Sequence, residues 1–414
     1  MKSQFLLVPC IVLAATASAR CEDSDTNAPK APPAEAGVTA APPASCSSWI
    51  GSWNAANSSR GQFWISGEYL LGWVQGTRLP PLVTTSPTGT APAAAGVLGN
   101  ASTSILFGDT HVNEEVRSGG RIGLGYWFDA ERTFGIEASG MILESQAAIF
   151  SATSAGDPIL ARPFFDSSTN QQRSLLVAFP GTASGGIDVR AASGNLYEAN
   201  VDLTGCFGSC CGFRFHSLVG YRFYRYDEGL RIQDVTNPTN PLFAPGTQVN
   251  SVDSFTTSNS FNGGDLGLST QYTWQNLTVT LRTILSVGEV DRVVKISGSQ
   301  TNTVPGVAPV VRTGGLFALS TNIGEYHSDV WTVVPELGLD LNWKVRENLR
   351  VRFGYTLIGL ERFARAADQL DFTVNSNFLP PAGASPAGPA QPAFNFQKAN
   401  LWVQTLSLGV ELDF

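Results

Sequence analysis

Charge is what this chain has least of. Of its 414 residues only 14% are charged, against about a quarter in ordinary water-soluble domains. The net charge of −8 supplies no basic footprint for a nucleic-acid partner. Long apolar runs are missing too: no stretch reaches the ~18 uninterrupted residues of a helical membrane span. Histidines number three, too few for His-based machinery. His327 stands beside Ser328 and Asp329, and His111 follows Asp109, but adjacency in sequence is not the spatial convergence a hydrolytic triad requires. Cysteines are six. Cys206, Cys210 and Cys211 cluster on one turn with no histidine and no four-ligand spacing, which argues against a metal site. In an oxidising compartment they point instead to a disulfide, Cys206 with Cys210 or Cys211, leaving a thiol for Cys21 or Cys46. The glycine-rich GGRIGLGY fails the spacing of a nucleotide-binding loop, and no helix follows it. No cofactor, metal or catalytic residue is expected.

Glycine, by contrast, is abundant at 42 residues, and alternation is pervasive. The last stretch, Leu401 to Phe414, places Trp402, Leu406, Leu408, Val410, Leu412 and Phe414 at every second position, with Gln404 breaking the row. Val403, Thr405, Ser407, Gly409, Glu411 and Asp413 fill the gaps. Period two over this length is a strand with one oily and one wet face. It is about twice an average soluble strand and matches the about 9–11 residues a transmembrane strand needs. A chain ending this way, on an aromatic ring, resembles the closing strand of bacterial outer-membrane barrels, where such an ending is an assembly signal; the resemblance implies the barrel assembly machinery as a partner.

The N-terminus reads as an exported protein. Lys2, the apolar Phe5 to Ala15 and the small residues Ala17-Ser18-Ala19 form a signal peptide over residues 1–19. Residues 20–60 are a Pro/Ala-rich periplasmic linker, open to cell-wall or other envelope components. Residues 61–414 then repeat one pattern. Strands are expected at Phe63–Val74, Arg117–Phe128, Arg132–Leu143, Leu196–Phe207, Phe213–Tyr226, up to Trp274, Leu277–Glu289, Trp331–Trp343, Leu349–Leu360 and Leu401–Phe414. The connections alternate long and short. Ser174 to Phe179 suggests a hairpin inside one long loop, and the loops at Ala147–Phe179 and Val293–Ser320 each have room for another strand pair.

The expected fold is therefore all-β: a transmembrane antiparallel up-and-down β-barrel of about ten strands, twelve if those loops hide more. Short turns and both termini face the periplasm, long loops face outward, and lipid surrounds the wall. A secreted β-sandwich gives no reason for the alternation of loop lengths. Aromatic belts at Trp73, Tyr126, Trp274, Trp331, Trp343, Trp402 and Phe414 mark the two rims.

Facing the lumen would be Glu68, Arg117, Arg121, Glu137, Glu198, Asp202, Arg214, Arg222, Arg282, Glu336, Asp340, Arg350, Arg352 and Glu411, with Asp413 beside them. Such mixed charges satisfy one another and fill a narrow barrel, or line a small selective pore. Barrels of about eight strands are just filled by side chains, so a plugged or very narrow lumen is expected.

The motifs SGGRIGLGYWFD (Ser118–Asp129), GFRFHSLVGYRFYRYDEGLRI (Gly212–Ile232), NSFNGGDLGL (Asn259–Leu268), VVPELGLDL (Val333–Leu341) and LRVRFGYTLIGLERFARAADQLD (Leu349–Asp371) together resemble an outer-membrane β-barrel family common in planctomycete bacteria. The resemblance covers most of the chain from Phe63 and implies an outer-membrane barrel with no assigned reaction. The functional expectation is a non-enzymatic envelope protein, structural or a narrow pore. The alternatives are adhesion through the long loops and, further off, a hydrolase at the rim.

Overall fold

The alternation of oily and wet residues becomes a closed wall. The computed structural model describes residues 62–383 and 386–414; the signal peptide and the whole of the linker lie outside them. In chain order the strands are β1 (Phe63–Val74), β2 (Thr77–Leu79), β3 (Val83–Thr85), β4 (Ser104–Phe107), β5 (Thr110–Val112), β6 (Arg117–Trp127), β7 (Phe134–Leu143), β8 (Gln146–Ser154), β9 (Leu160–Asp166) and β10 (Gln171–Ala178). They continue as β11 (Ala183–Cys210), β12 (Phe213–Pro238), β13 (Gln248–Trp274), β14 (Leu277–Thr303), β15 (Val310–Thr313), β16 (Gly324–Arg346), β17 (Leu349–Phe363), β18 (Thr373–Val374) and β19 (Ala399–Asp413).

Ten of these form an antiparallel ring, β1–β6–β7–β11–β12–β13–β14–β16–β17–β19, each paired with the next. β19 returns to β1 in unbroken register from Trp64 opposite Asp413 to Val74 opposite Val403. Beyond it, the Phe414 amide donates to the Phe63 carbonyl at 2.8 Å, and the two rings lie 5.9 Å apart. β8 and β15 join the same sheet above the ring, making twelve strands in all.

The outer face explains why the ring needs hydrocarbon. Ile122 is 64% exposed and Leu266 63%, with Tyr69, Val219, Leu285, Leu339, Phe353 and Leu408 in the same band. A contiguous apolar girdle of this extent is foreign to a protein in water. Charge ends it: Arg225, Glu289 and Asp329 face outward where the girdle stops. The belt residues Tyr126, Trp274, Trp331, Trp343, Trp402 and Phe414 are all exposed. Trp73 is half-buried.

The strands are much longer than their membrane-crossing parts. β11 has 28 residues, β13 and β14 have 27 each, roughly 90 Å of extended chain. Asp227–Phe255, expected as a loop, is instead the upper part of a β12–β13 hairpin closed by residues 239–247. The reason is visible in QVNSVDSFTTSNSF: the inward positions Ser251, Asp253, Thr257 and Asn259 are buried but polar. Alternation is present there without the hydrophobic contrast that announces it.

These upper strands, with β2–β5, β9, β10, β15, β18 and the loop 364–398, enclose a second core. It includes Leu82, Leu160, Phe164, Ile232, Phe255, Phe317 and Leu319. Buried Arg162 bridges Asp234 and Asp253 at 2.5 Å each. Asp253 also accepts from the amides of Phe317 (3.0 Å) and Ala318 (2.8 Å), drawing that loop inward. The hairpin suggested by Ser174–Phe179 is β9–β10.

At the head of that hairpin, Asp166 is held at a pKa of about 2, from the usual 3.8. Burial pushes it up, but donors from Ser168, Arg173 and the Ser376 amide outweigh this and favour the charged form. Its stabilisation is complete above the unfolded value and is lost as pH falls through about 2. Pepsin, active across this window, should leave the hairpin intact at pH 4 and cut it as pH approaches 2. In Asp166→Asn, cleavage should no longer change steeply between those values.

Candidate functional site

Turning the polar face of ten strands inward forces charges together, and the structure pairs them. A cavity of about 420 Å³ occupies the lumen near the short-turn end. Twelve of the fourteen residues expected in the lumen line it: Glu68, Arg121, Glu137, Glu198, Arg214, Arg222, Arg282, Glu336, Asp340, Arg350, Arg352 and Glu411. The other two do not. Arg117 lies at the upper rim of β6, donating to Ser193 Oγ at 2.8 Å. Asp202 is sealed beneath the lining and accepts from Asn200 at 2.5 Å.

The centre of the cavity wall is Arg222. Its Nε donates to Asp265 at 2.7 Å, and its Nη1 bonds Glu336 and lies 3.6 Å from Glu198. Tyr224 donates its hydroxyl to Glu336 at 3.2 Å. Nearer the short turns, Arg352 bridges Glu68 (3.3 Å) and Glu411 (3.0 Å), and Arg350 bridges Glu411 (2.5 Å) and Asp413 (2.8 Å). Arg282 reaches Glu137 at 3.2 Å. Guanidinium forks suit such bridging because five fixed N–H donors serve two carboxylates at once. Asp265 is a member that sequence reasoning missed. Its signal was present, since it sits one position before Leu266 and so on the opposite face.

Glycine makes the room. A Cβ at Gly125 would lie 2.5 Å from the Trp64 ring, so β6 carries glycines where β1 projects its indole into the lumen.

Above Arg222 the lumen turns apolar. Leu70, Met141, Leu143, Leu196, Tyr224, Tyr226, Phe261, Val290, Val334, Ile358, Phe363 and Val403 form one buried cluster. Every wall strand except β6 contributes a residue; β6 instead has Gly119, where a Cβ would meet Leu143 at 2.6 Å. Over this plug a staple closes the mouth. Arg365 pairs with Glu228 at 2.7 Å and donates to the Gly76 and Gln75 carbonyls. It thereby ties the β17–β19 loop to β12 and to the chain leaving β1.

The other sequence candidates fall elsewhere. His327 and Ser328 point to opposite faces of β16: the imidazole is 3.4 Å from Glu325, and Ser328 Oγ accepts from Arg292 at 2.6 Å. His111 is exposed on β5. Neither forms a triad. The expected disulfide is also different. Cys206 is disulfide-bonded, but Cys210 and Cys211 are free and exposed. Four residues along an extended strand span about 13 Å, about twice the Cα separation a disulfide tolerates. Cys211 and Gly212 take φ of 50° and 86° in the turn itself, the paired positive values that a two-residue hairpin demands.

Arg222 carries a measurable share of stability. Arg222→Met strands Asp265, Glu198 and Glu336 in the buried lumen wall, and losing one partner of a buried network costs about 3–5 kcal/mol. Urea unfolding in lipid vesicles should show a loss of that size, whereas Arg78→Met, which breaks an exposed 3.5 Å pair with Asp109, should cost under about 1 kcal/mol.

Residues 64–414 match the family model Putative beta barrel porin-7 (BBP7). No curated protein matches the chain. Among solved structures it is similar to the outer membrane protease OmpT of Escherichia coli, at 11% identity over 86% of this chain and 99% of that one, with a TM-score of 0.38. It is similar also to the transport unit of the autotransporter AIDA-I of Escherichia coli (10%, 88% and 94%, 0.26) and to the toluene transporter TodX of Pseudomonas putida (5%, 86% and 91%, 0.19). The family match covers most of the chain, and the chain belongs to the BBP7 family of outer-membrane β-barrels.

Proposed function

We propose that this BBP7-family chain is a closed, non-enzymatic barrel that anchors a folded head at the cell surface rather than a conduit for solutes. The observation that carries this is the apolar plug. Nine of ten wall strands place side chains into it, and the polar cavity stops beneath it. Water and ions crossing would have to enter a packed apolar layer, and such layers stay dry. The Arg365–Glu228 staple and the second core above reinforce the closure.

In this reading the chain is exported by its N-terminal segment and its short turns and both termini face the periplasm. The envelope partners are lipid around the girdle, the barrel assembly machinery during insertion, and envelope components met by the linker. The head displays an apolar tip, with Leu242 88% exposed, above the surface. The planctomycete-type assignment belongs to the same reading and rests on the motif resemblance.

Purified full-length protein reconstituted in planar bilayers tests it. Silence under applied voltage is expected. Regular stepwise conductance from the wild-type chain would contradict the closed barrel and favour a narrow pore.

A further inference from the structure

We propose that the lumen cavity holds a binding site for a small oxyanion, centred on Arg214 and His216. The two are consecutive inward-facing residues of β12, beside the Cys211–Gly212 turn. Strand register fixes their neighbours. His216, Ser269 and Arg282 share one row across β12, β13 and β14, and Arg214, Gln271 and Thr280 share the next.

Two observations set this corner apart. First, the other arginines lining the cavity each have a carboxylate: Arg121 has Glu68, Arg132 has Asp413, Arg222 has Asp265, Arg282 has Glu137, Arg350 and Arg352 have Glu411. Arg214 lines the same cavity and has no ion-pair partner among the described residues. Second, His216 is 2% exposed, and although the Arg132 carbonyl faces its ring, neither ring nitrogen has a partner in good hydrogen-bond geometry. Its ring is held by Trp127 at 5.9 Å. Buried polar atoms without partners are rare in folded proteins and call for a ligand or water.

The chemistry of the corner selects the ligand. A guanidinium presents two parallel N–H groups, the geometry that a carboxylate or a tetrahedral oxyanion accepts. His216 adds a ring N–H, and the Gln271 amide and Thr280 hydroxyl add neutral donors. Of the nearer acids, Glu137 is held by Arg282, and Asp340 stands beyond Thr280 at the far end of the same row. In a cavity screened from bulk water these bonds are stronger than in solution. At about 420 Å³ the space is many times that of a single water, ~30 Å³, and it admits phosphate, sulfate or a short carboxylate with its residual hydration. The mouth lies among Gln275, Asn276 and Lys344 on the short-turn side. A ligand therefore enters and leaves by one opening, which makes this a binding site and not a transit route.

Calorimetric titration of the full-length protein in detergent micelles, at low chloride, tests the site with inorganic phosphate, sulfate and acetate in separate runs. At least one should bind saturably with Kd of about 1 mM or tighter. Arg214→Gln should weaken that anion at least tenfold, and Arg78→Gln, on the outer head, should leave it unchanged. Should Arg214→Gln fail to fold, the imidazole nitrogen resonances of His216 in the wild-type protein supply the second readout, and they should shift saturably with the same anion. Absence of saturable binding by all three anions, wild-type affinity in Arg214→Gln, or unmoved His216 resonances would each overturn the proposal.

Discussion

The hydrogen-bonded seam between the first and last wall strands is the constraint on which the rest depends. An open sheet of ten strands would leave two edges of unpaired amides and carbonyls in hydrocarbon, where each unmet group costs several kcal/mol. Eleven residue pairs from Trp64/Asp413 to Val74/Val403 remove both edges at once. Closure then dictates the interior. With lipid outside, every polar residue of the alternating pattern must point inward, into a lumen only slightly wider than side chains can fill. The arginine–carboxylate networks follow from that crowding, and the glycines of β6 follow from the need to seat Trp64.

The inward face changes character along its length in an order that gives the molecule its division of labour. At the short-turn end it is charged, around Arg222, Arg352 and Arg350. Halfway up it is apolar, from Leu70 round to Val403. Above the membrane the same strands continue and wrap a core shared with the inserted loops. Buried ion pairs reappear there as fixed struts, Arg162 between Asp234 and Asp253, and Arg365 on Glu228. A strut of this kind adds little to net stability compared with an apolar replacement; what it contributes is one defined position for a long loop.

Much of the wall was legible in the sequence because one face of each strand had to be oily. Phe63–Val74 and twelve of the fourteen lumen residues from Glu68 to Glu411 could be placed by parity alone, and the alternation of loop lengths gave the number of strands in the ring. The upper halves of β11 to β14 were not legible, for a physical reason. Outside the bilayer neither face is obliged to be apolar, so Ser251, Asp253, Thr257 and Asn259 can be buried among hydrogen bonds without any hydropathy signal. The struts Arg162–Asp253 and Arg365–Glu228 were hidden for the same reason, being contacts between segments that read as loops. The apolar plug was concealed differently. Leu70, Phe261 and Val334 occupy inward positions that parity assigns to polar residues, and only the closed ring reveals that they meet.

The seam itself can be observed directly. Amide hydrogen exchange of the protein in lipid bilayers, read along Trp64–Val74 and Val403–Asp413, asks whether the first and last strands are bonded to each other. A closed ring predicts protection there equal to that of the central pair β13–β14 within the membrane. Rapid exchange confined to the facing amides of β1 and β19, with the other wall strands protected, would contradict it.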